Sequence, residues 1–280
     1  MLLPPMDRPD EIREFKAFAA DRGVFVEYAA GSSILKAVAE GSIRRIFDYA
    51  AELGVDTIYS QLADCGARLA QQWGAETTRR KLDDLAATLD ALGPAAEAAG
   101  FRIALENHID YRAGEVAGLC SRCASPAIGF AFDTANQLAL LDDPVEYFEI
   151  VQDRIHGSHI KDAYAVSAPD GADLLWCAPG EGLVDFQALK PGLLKAASRG
   201  AHLNLELIAT QPWRVPYKTE AFWQCIWNGP PRRDNAILSR IERRIAENRP
   251  RYPDGAMELA NAETRALKDA LSALKSLFAA

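Results

Sequence analysis

Basic side chains are in short supply in this chain: 31 Lys and Arg stand against 39 Asp and Glu, a net charge of −8. That balance disfavours a nucleic-acid partner, because binding a phosphate backbone relies on Lys and Arg to neutralise it. Cysteine is scarce and odd in number. The five, at positions 65, 120, 123, 177 and 225, suit a reducing compartment better than a disulfide framework. Cys120 and Cys123 make one CxxC, but no second pair completes the four ligands of a structural zinc site. No apolar run is long enough to span a bilayer, and residues 1–10 have neither the basic region nor the apolar stretch of a signal peptide. The expectation is a cytoplasmic protein that handles a small molecule, without a nucleic-acid or membrane partner and with homo-oligomerisation left open.

What is present suffices for one large α/β domain over residues 1–280, since 49% of the residues are hydrophobic. Residues 11–22 read as a helix, 24–28 as a strand, 34–53 as a helix broken at Gly41, and 55–59 as a strand. A long amphipathic helix then carries Leu82, Leu85, Leu89 and Leu92 on one stripe and leads into Arg102-Ile-Ala-Leu-Glu106. Strand and helix alternate from there to Glu206, which implies a parallel sheet with crossover helices. Residues 163–184, rich in Ala, Pro, Gly and Asp, interrupt the spacing and read as a long loop serving as a lid. Asp185 is suited to cap the helix that follows. Residues 209–280 form an aromatic, proline-rich segment and two helical stretches, 235–248 and 257–278, expected to pack on the outside of the barrel or on a second subunit.

Four of the apolar runs end on a metal-binding residue type: Ile103-Ala-Leu-Glu106, Phe130-Ala-Phe-Asp133, His156-Gly-Ser-His159 and Leu203-Asn-Leu-Glu206. Steps of 27 and 26 residues between the first three fit one βα unit each. A buried strand that stops on a carboxylate or imidazole presents it at the strand's carboxyl end, where barrel enzymes keep their chemistry. A single Asp or Glu there is as well explained as a helix cap. Four in consecutive units, two of them in strongly apolar surroundings, need a cation or a proton, and one shared metal meets that need.

Strand parity ranks the neighbours. His156 and His159 point to opposite faces of a regular strand, and His159, nearer the carboxyl end, is the chosen ligand. Lys161 shares the face of His159, and His108 that of Glu106, so both are candidates to touch substrate, as is Asn136. The plain alternatives are a solvated loop lysine, a capping histidine and a helix N-cap. His156 reads as structural and His202 as solvent-facing. The aromatic cluster Trp213, Tyr217, Phe222, Trp223 and Trp227 reads as packing, placed so that it could also wall the site.

Taken together, Glu106-Asn-His, Phe132-Asp133-Thr-Ala-Asn136, His159-Ile-Lys-Asp162, Gly180-Glu-Gly-Leu-Val-Asp-Phe186 and Leu205-Glu206 resemble the xylose isomerase-like TIM-barrel superfamily of sugar phosphate isomerases and epimerases. The resemblance covers roughly residues 10–210. It implies a TIM (β/α)8-type barrel and one divalent ion held by the residues matching Glu106, Asp133, His159 and Glu206. It also implies acid and base roles for Glu106 and Glu206, as in the ketose 3-epimerases. Those enzymes usually carry His where this chain has Asn136. The endonuclease IV branch is disfavoured by the acidic charge and by a count of only four histidines. Counted against the family, Glu106 ends the fifth strand, so the first two strands and first helix are missing. Either the start codon is placed too late, or an incomplete barrel leaves a strand edge to be covered by the C-terminal helices or a partner.

The activity expected from these residues is a sugar, sugar phosphate or keto-polyol isomerase or epimerase. Mn2+, Mg2+, Co2+ or Zn2+ would suit the three-oxygen, one-nitrogen site and stabilise an enediolate formed by proton abstraction next to a carbonyl. Its rivals are a lyase or dehydratase of keto-sugars or inosose on the same metal site, and a non-catalytic sugar-binding or scaffold protein.

Overall fold

A computed structural model describes residues 3–63, 67–207, 212–249, 251 and 256–278. Cys65 and part of the 209–280 segment lie outside the described residues. The elements, in order, are α1 (Pro9–Asp21), β1 (Tyr28–Ala29), α2 (Ser33–Ala39), α3 (Ile43–Leu53), β2 (Thr57–Gln61), α4 (Ala75–Ala99) and β3 (Arg102–Glu106). Then come α5 (Ala113–Arg122), β4 (Ile128–Asp133), a 3-10 turn (Asn136–Leu140), α6 (Pro144–Val151), β5 (Ile155–Ile160), β6 (Asp162–Ala168), β7 (Gly171–Cys177) and α7 (Phe186–Ser198). The chain continues through β8 (His202–Leu205), β9 (Trp213–Val215), α8 (Glu220–Trp227), α9 (Ala236–Ile245) and α10 (Ala256–Phe278).

Six parallel strands in the order β1-β2-β3-β4-β5-β8 form a half-barrel of the expected (β/α) architecture. The central strands are buried on both faces, which is why β3 and β4 read as continuous apolar runs. On α4, Leu85, Leu89 and Leu92 face the core as the stripe predicts, with Leu82 half-buried at its margin. A single cluster of buried side chains reaches from Ile12 in α1 to Ile241 in α9.

Several expectations need correction. Residues 24–27 are not a strand: only Tyr28 and Ala29 pair with β2, and Phe25 instead meets His202 in a tilted contact with ring centroids 4.0 Å apart. His202 is exposed, as expected, but is the first residue of β8 and has this aromatic partner. The second strand begins at Thr57 rather than at residue 55. Residues 163–184 are not a loop. Most of them form the antiparallel hairpin β6–β7, and β9 adds a third strand to it. Both faces of β7 are buried, so the two-residue alternation that marks a strand is absent there. Among the described residues, the C-terminal helices make their main contacts away from β1, α9 on β6 and α10 on α7 and β8.

Candidate metal centre

The parallel register sets the site. Gln61 pairs with Glu106, Glu106 with Ala131, Asp133 with His159, and Ile160 with Leu205, so the strands end nearly level. Glu106 and Asp133 are the last residues of β3 and β4, His159 lies in β5, and Glu206 follows β8 directly. Each offers a ligand atom, and the four atoms lie within 4.8 Å of one another.

The contacts within this group alternate in charge. His159 Nδ1 is 2.9 Å from Glu106 Oε1 and 3.4 Å from Glu206 Oε2. Lys161 Nζ is 2.8 Å from Glu206 Oε2 and 2.7 Å from Asp133 Oδ2. Lys161 is only 1% exposed, which excludes a solvated loop lysine. The Asp133 contact is an ion pair without hydrogen-bond alignment, leaving Oδ2 buried and without a hydrogen-bond donor. The other oxygen, Oδ1, accepts the backbone N–H groups of Ala135 and Asn136, so it fixes the turn while Oδ2 faces the group. Three carboxylate oxygens and an imidazole nitrogen within a few ångströms fit a divalent cation.

Burial and charge compete at each group. Burial alone would raise the Glu106 carboxyl, but the His159 hydrogen bond and charge, with His108 and Lys161 behind it, hold it below the usual range. The same contacts overcome the burial penalty at His159 and lift it to about 9. At Asp133 burial wins over Lys161, and repulsion from Glu206 and Glu106 adds to it, giving about 6. Lys161 is raised because Asp133 and Glu206 outweigh its burial.

A scaffold of side-chain to backbone bonds holds these groups, and sequence reasoning gave its members no role. Asn107 accepts the Asp133 N–H at 2.7 Å and donates to the Asp133 carbonyl at 3.0 Å, locking the end of β4 to β3. Thr134 Oγ1 accepts from Lys161 N at 2.9 Å and donates to its carbonyl at 2.6 Å. The Asp162 carboxylate accepts from the backbone N–H of Ala163, Gly180, Gly182 and Val184, tying the Gly180-Glu-Gly182 segment to the base of the hairpin. A Cβ at Gly182 would collide with the Ala163 carbonyl and the Asp162 carboxylate, so only glycine fits there.

The remaining candidates divide. Asn136 is fully buried: its Nδ2 donates to the Asn107 carbonyl at 2.7 Å, and its Oδ1 has no hydrogen-bond partner. The residue opens the 3-10 turn rather than capping it. His108 is half-buried, its Nδ1 lacks a partner, and its ring stands edge-on to Trp213 at 6.2 Å. β5 is not a regular strand, because the register shifts around His156, a bulge that turns this ring to the Ile103 carbonyl at 3.2 Å. Burial lowers His156 to about 4, which fits its expected structural role.

Of the five aromatic residues, Trp213 reaches the site and the others do not. Its ring is 5.5 Å from Lys161 Nζ and meets Trp176 edge-to-face at 4.6 Å. Phe222 and Trp223 are buried in the core, Tyr217 is buried, and Trp227 donates to the Leu140 carbonyl. Trp176 and Tyr59 were missed by sequence reasoning. Trp176 lies 5.0 Å from Lys161 Nζ. Tyr59 stacks on His159 at 5.7 Å and donates to Glu27 at 2.6 Å, and Gly157 leaves room for its hydroxyl. Their signal was weak, because nothing near Tyr59 or Trp176 in sequence marks a site.

The sequence and the fold have known relatives. The chain is 25% identical over 188 residues to a 3-oxo-isoapionate decarboxylase from Pectobacterium atrosepticum, a match covering 65% of this chain and 61% of that relative. The fold is similar to a xylose isomerase domain protein from Planctomyces limnophilus, at TM-score 0.55 and 20% identity over 79% of this chain and 86% of the other. It is also similar to a D-psicose 3-epimerase from Clostridium cellulolyticum H10, at TM-score 0.54 and 14% identity over 95% of this chain and 84% of that one. The family model described as xylose isomerase-like TIM barrel matches residues 3–225, so the chain belongs to that family.

Proposed function

We propose that the chain is a divalent-metal-dependent isomerase or epimerase that moves a proton next to the carbonyl of a sugar or keto-polyol. The observation that carries this reading is the approach of Glu106, Asp133, His159 and Glu206 to within 4.8 Å, with the two glutamates at opposite ends of the arc. A bound Mn2+, Mg2+, Co2+ or Zn2+ would supply Lewis-acid polarisation of the carbonyl. The protein supplies the rest. Glu106, kept ionised by His159, is ready to accept a proton. Glu206, with 30% of its side chain exposed, faces the mouth while Lys161 steadies Oε2. Reaching the substrate carbon from two faces, one carboxylate removes the proton and the other returns it. His108, through its free Nδ1, and the Lys161 ammonium are the candidate contacts to substrate oxygens, with Asn136 Oδ1 behind them.

The decarboxylase relative favours a second reading, a lyase in which the same residues expel CO2 or water from a keto-sugar. One experiment separates the two. Mn2+-loaded protein is incubated with a panel of ketoses in D2O and followed by NMR. Deuterium uptake with every hydroxyl retained supports isomerase or epimerase, and a decarboxylated or dehydrated product supports the lyase. Glu106→Gln and Glu206→Gln are each expected to slow exchange by at least about 100-fold. Exchange retained in both variants would overturn the acid and base assignment.

A further inference from the structure

We propose that Tyr59 is a positioning residue for the metal centre put forward above, on which this role rests: its ring sets the plane of the His159 imidazole, and Glu27 holds that ring in place. The support comes from β2, a strand that carries none of the four ligands. Three small residues make room for it. Ala104 precedes Glu106 by two positions, Ala131 precedes Asp133 and Gly157 precedes His159, so on each strand they share the ligand's face and form the layer beneath it. Tyr59 pairs with Ala104 and forms a buried cluster with Ala104 and Ala131, apart from the main core. Its side chain crosses β3 and β4 to reach β5, where a Cβ at Gly157 would overlap its hydroxyl. There the ring stacks on the imidazole, centroids 5.7 Å apart and planes 12° from parallel.

This contact takes the part that a hydrogen bond usually plays. A histidine ligand is normally fixed by donating its second ring N–H to a carboxylate or carbonyl, which keeps the other nitrogen aimed at the ion. His159 turns Nδ1 to Glu106 and Glu206, while Nε2 has no hydrogen-bond partner among the described residues. The face of Tyr59 is what remains to stop the imidazole from rotating. Tyr59 is itself anchored, since its hydroxyl donates to Glu27 at 2.6 Å and is the one donor to that carboxylate among the described residues.

Calorimetric titration of metal-stripped protein with Mn2+ tests the role on the wild type, Tyr59→Leu, Tyr59→Phe, Glu27→Ala and the combined Tyr59→Phe and Glu27→Ala variant. Tyr59→Leu should weaken binding about 10–100-fold. Tyr59→Phe keeps the aromatic face and should lose only about 3–10-fold, as should Glu27→Ala. The combined variant should be no weaker than either alone, because both changes cut the same bond. The visible absorption of bound Co2+ reads ligand geometry apart from affinity. In Tyr59→Leu it should shift towards the spectrum of His159→Ala, whereas a tyrosine that only packs would lower Tm and leave the spectrum unchanged. A wild type that binds Mn2+ together with a Tyr59→Leu that binds it equally well, its Co2+ spectrum unshifted, overturns this role alone. A wild type that binds no ion overturns the metal reading and this role with it. If Tyr59→Leu does not fold, the milder pair decides: undiminished affinity in both Tyr59→Phe and Glu27→Ala overturns the role.

Discussion

Asn107 shows how much of the site depends on a residue that carries no chemistry. Its amide accepts from and donates to the backbone of Asp133, so the carboxylate at the end of β4 is aimed by the side chain that follows β3. Asn107→Ala is therefore expected to cost about 1–3 kcal/mol of stability, through two orphaned buried backbone groups, and to weaken Mn2+ binding 10–100-fold. Urea unfolding and calorimetric titration check the two effects separately. Asp110 offers a pH test away from the metal ligands. Burial raises it to about 7 from 3.8, although the Tyr111 and His108 N–H groups favour its charged form. The folded protein then holds a proton that the unfolded chain releases. This contribution is fully present below pH 3.8 and is lost as pH rises through about 7. Each unit in that window is worth up to about 1.4 kcal/mol. Asp110→Asn should therefore gain stability relative to wild type between pH 4.5 and 7.5, as measured by urea unfolding, and an unchanged difference would contradict it.

The elements explain what could be read from the sequence and what could not. The strands that carry ligands were legible because each is a short, largely apolar run with an ionisable residue at or next to its carboxyl end, and β3 and β4 are also buried on both faces. The hairpin was not, because its alanines and two-sided burial hide the strand period. A signal was nevertheless present in Pro169-Asp170-Gly171, whose residues favour a tight turn between Ala163-Tyr-Ala-Val166 and Leu174-Leu-Trp176. Residues 24–28 have strand composition, yet among them only Tyr28 pairs, with Ala29 after it, and β1 is an edge whose neighbour is β2. The hairpin also brings Trp176 to the site and, through β9, Trp213, a long-range contact that no local pattern encodes. Gly182→Ala tests the anchor of this element. Forcing a methyl against Asp162 and Ala163 should cost about 1–3 kcal/mol and alter the near-UV dichroism of the tryptophans, while far-UV dichroism stays the same. Unchanged stability would show that the segment yields without strain.

At the scale of the molecule, the half-barrel sets the four strands that hold the site side by side, β3, β4 and β5 inside the sheet and β8 at its edge, with β1 and β2 on the other side. Three carboxylates within a few ångströms are a local concentration of negative charge that one lysine and one histidine only partly balance. A divalent cation should therefore stabilise the whole fold, by about 2.7 kcal/mol at 100 times its Kd, and a chelator should reverse the rise in Tm. The most direct measurement is calorimetric titration of metal-stripped protein with Mn2+, on the wild type and on Asp133→Asn and His159→Ala. One ion per chain is predicted, with affinity falling at least about 100-fold in each variant. No binding by the wild type, or binding that both variants retain undiminished, would contradict a metal centre at the ends of these strands.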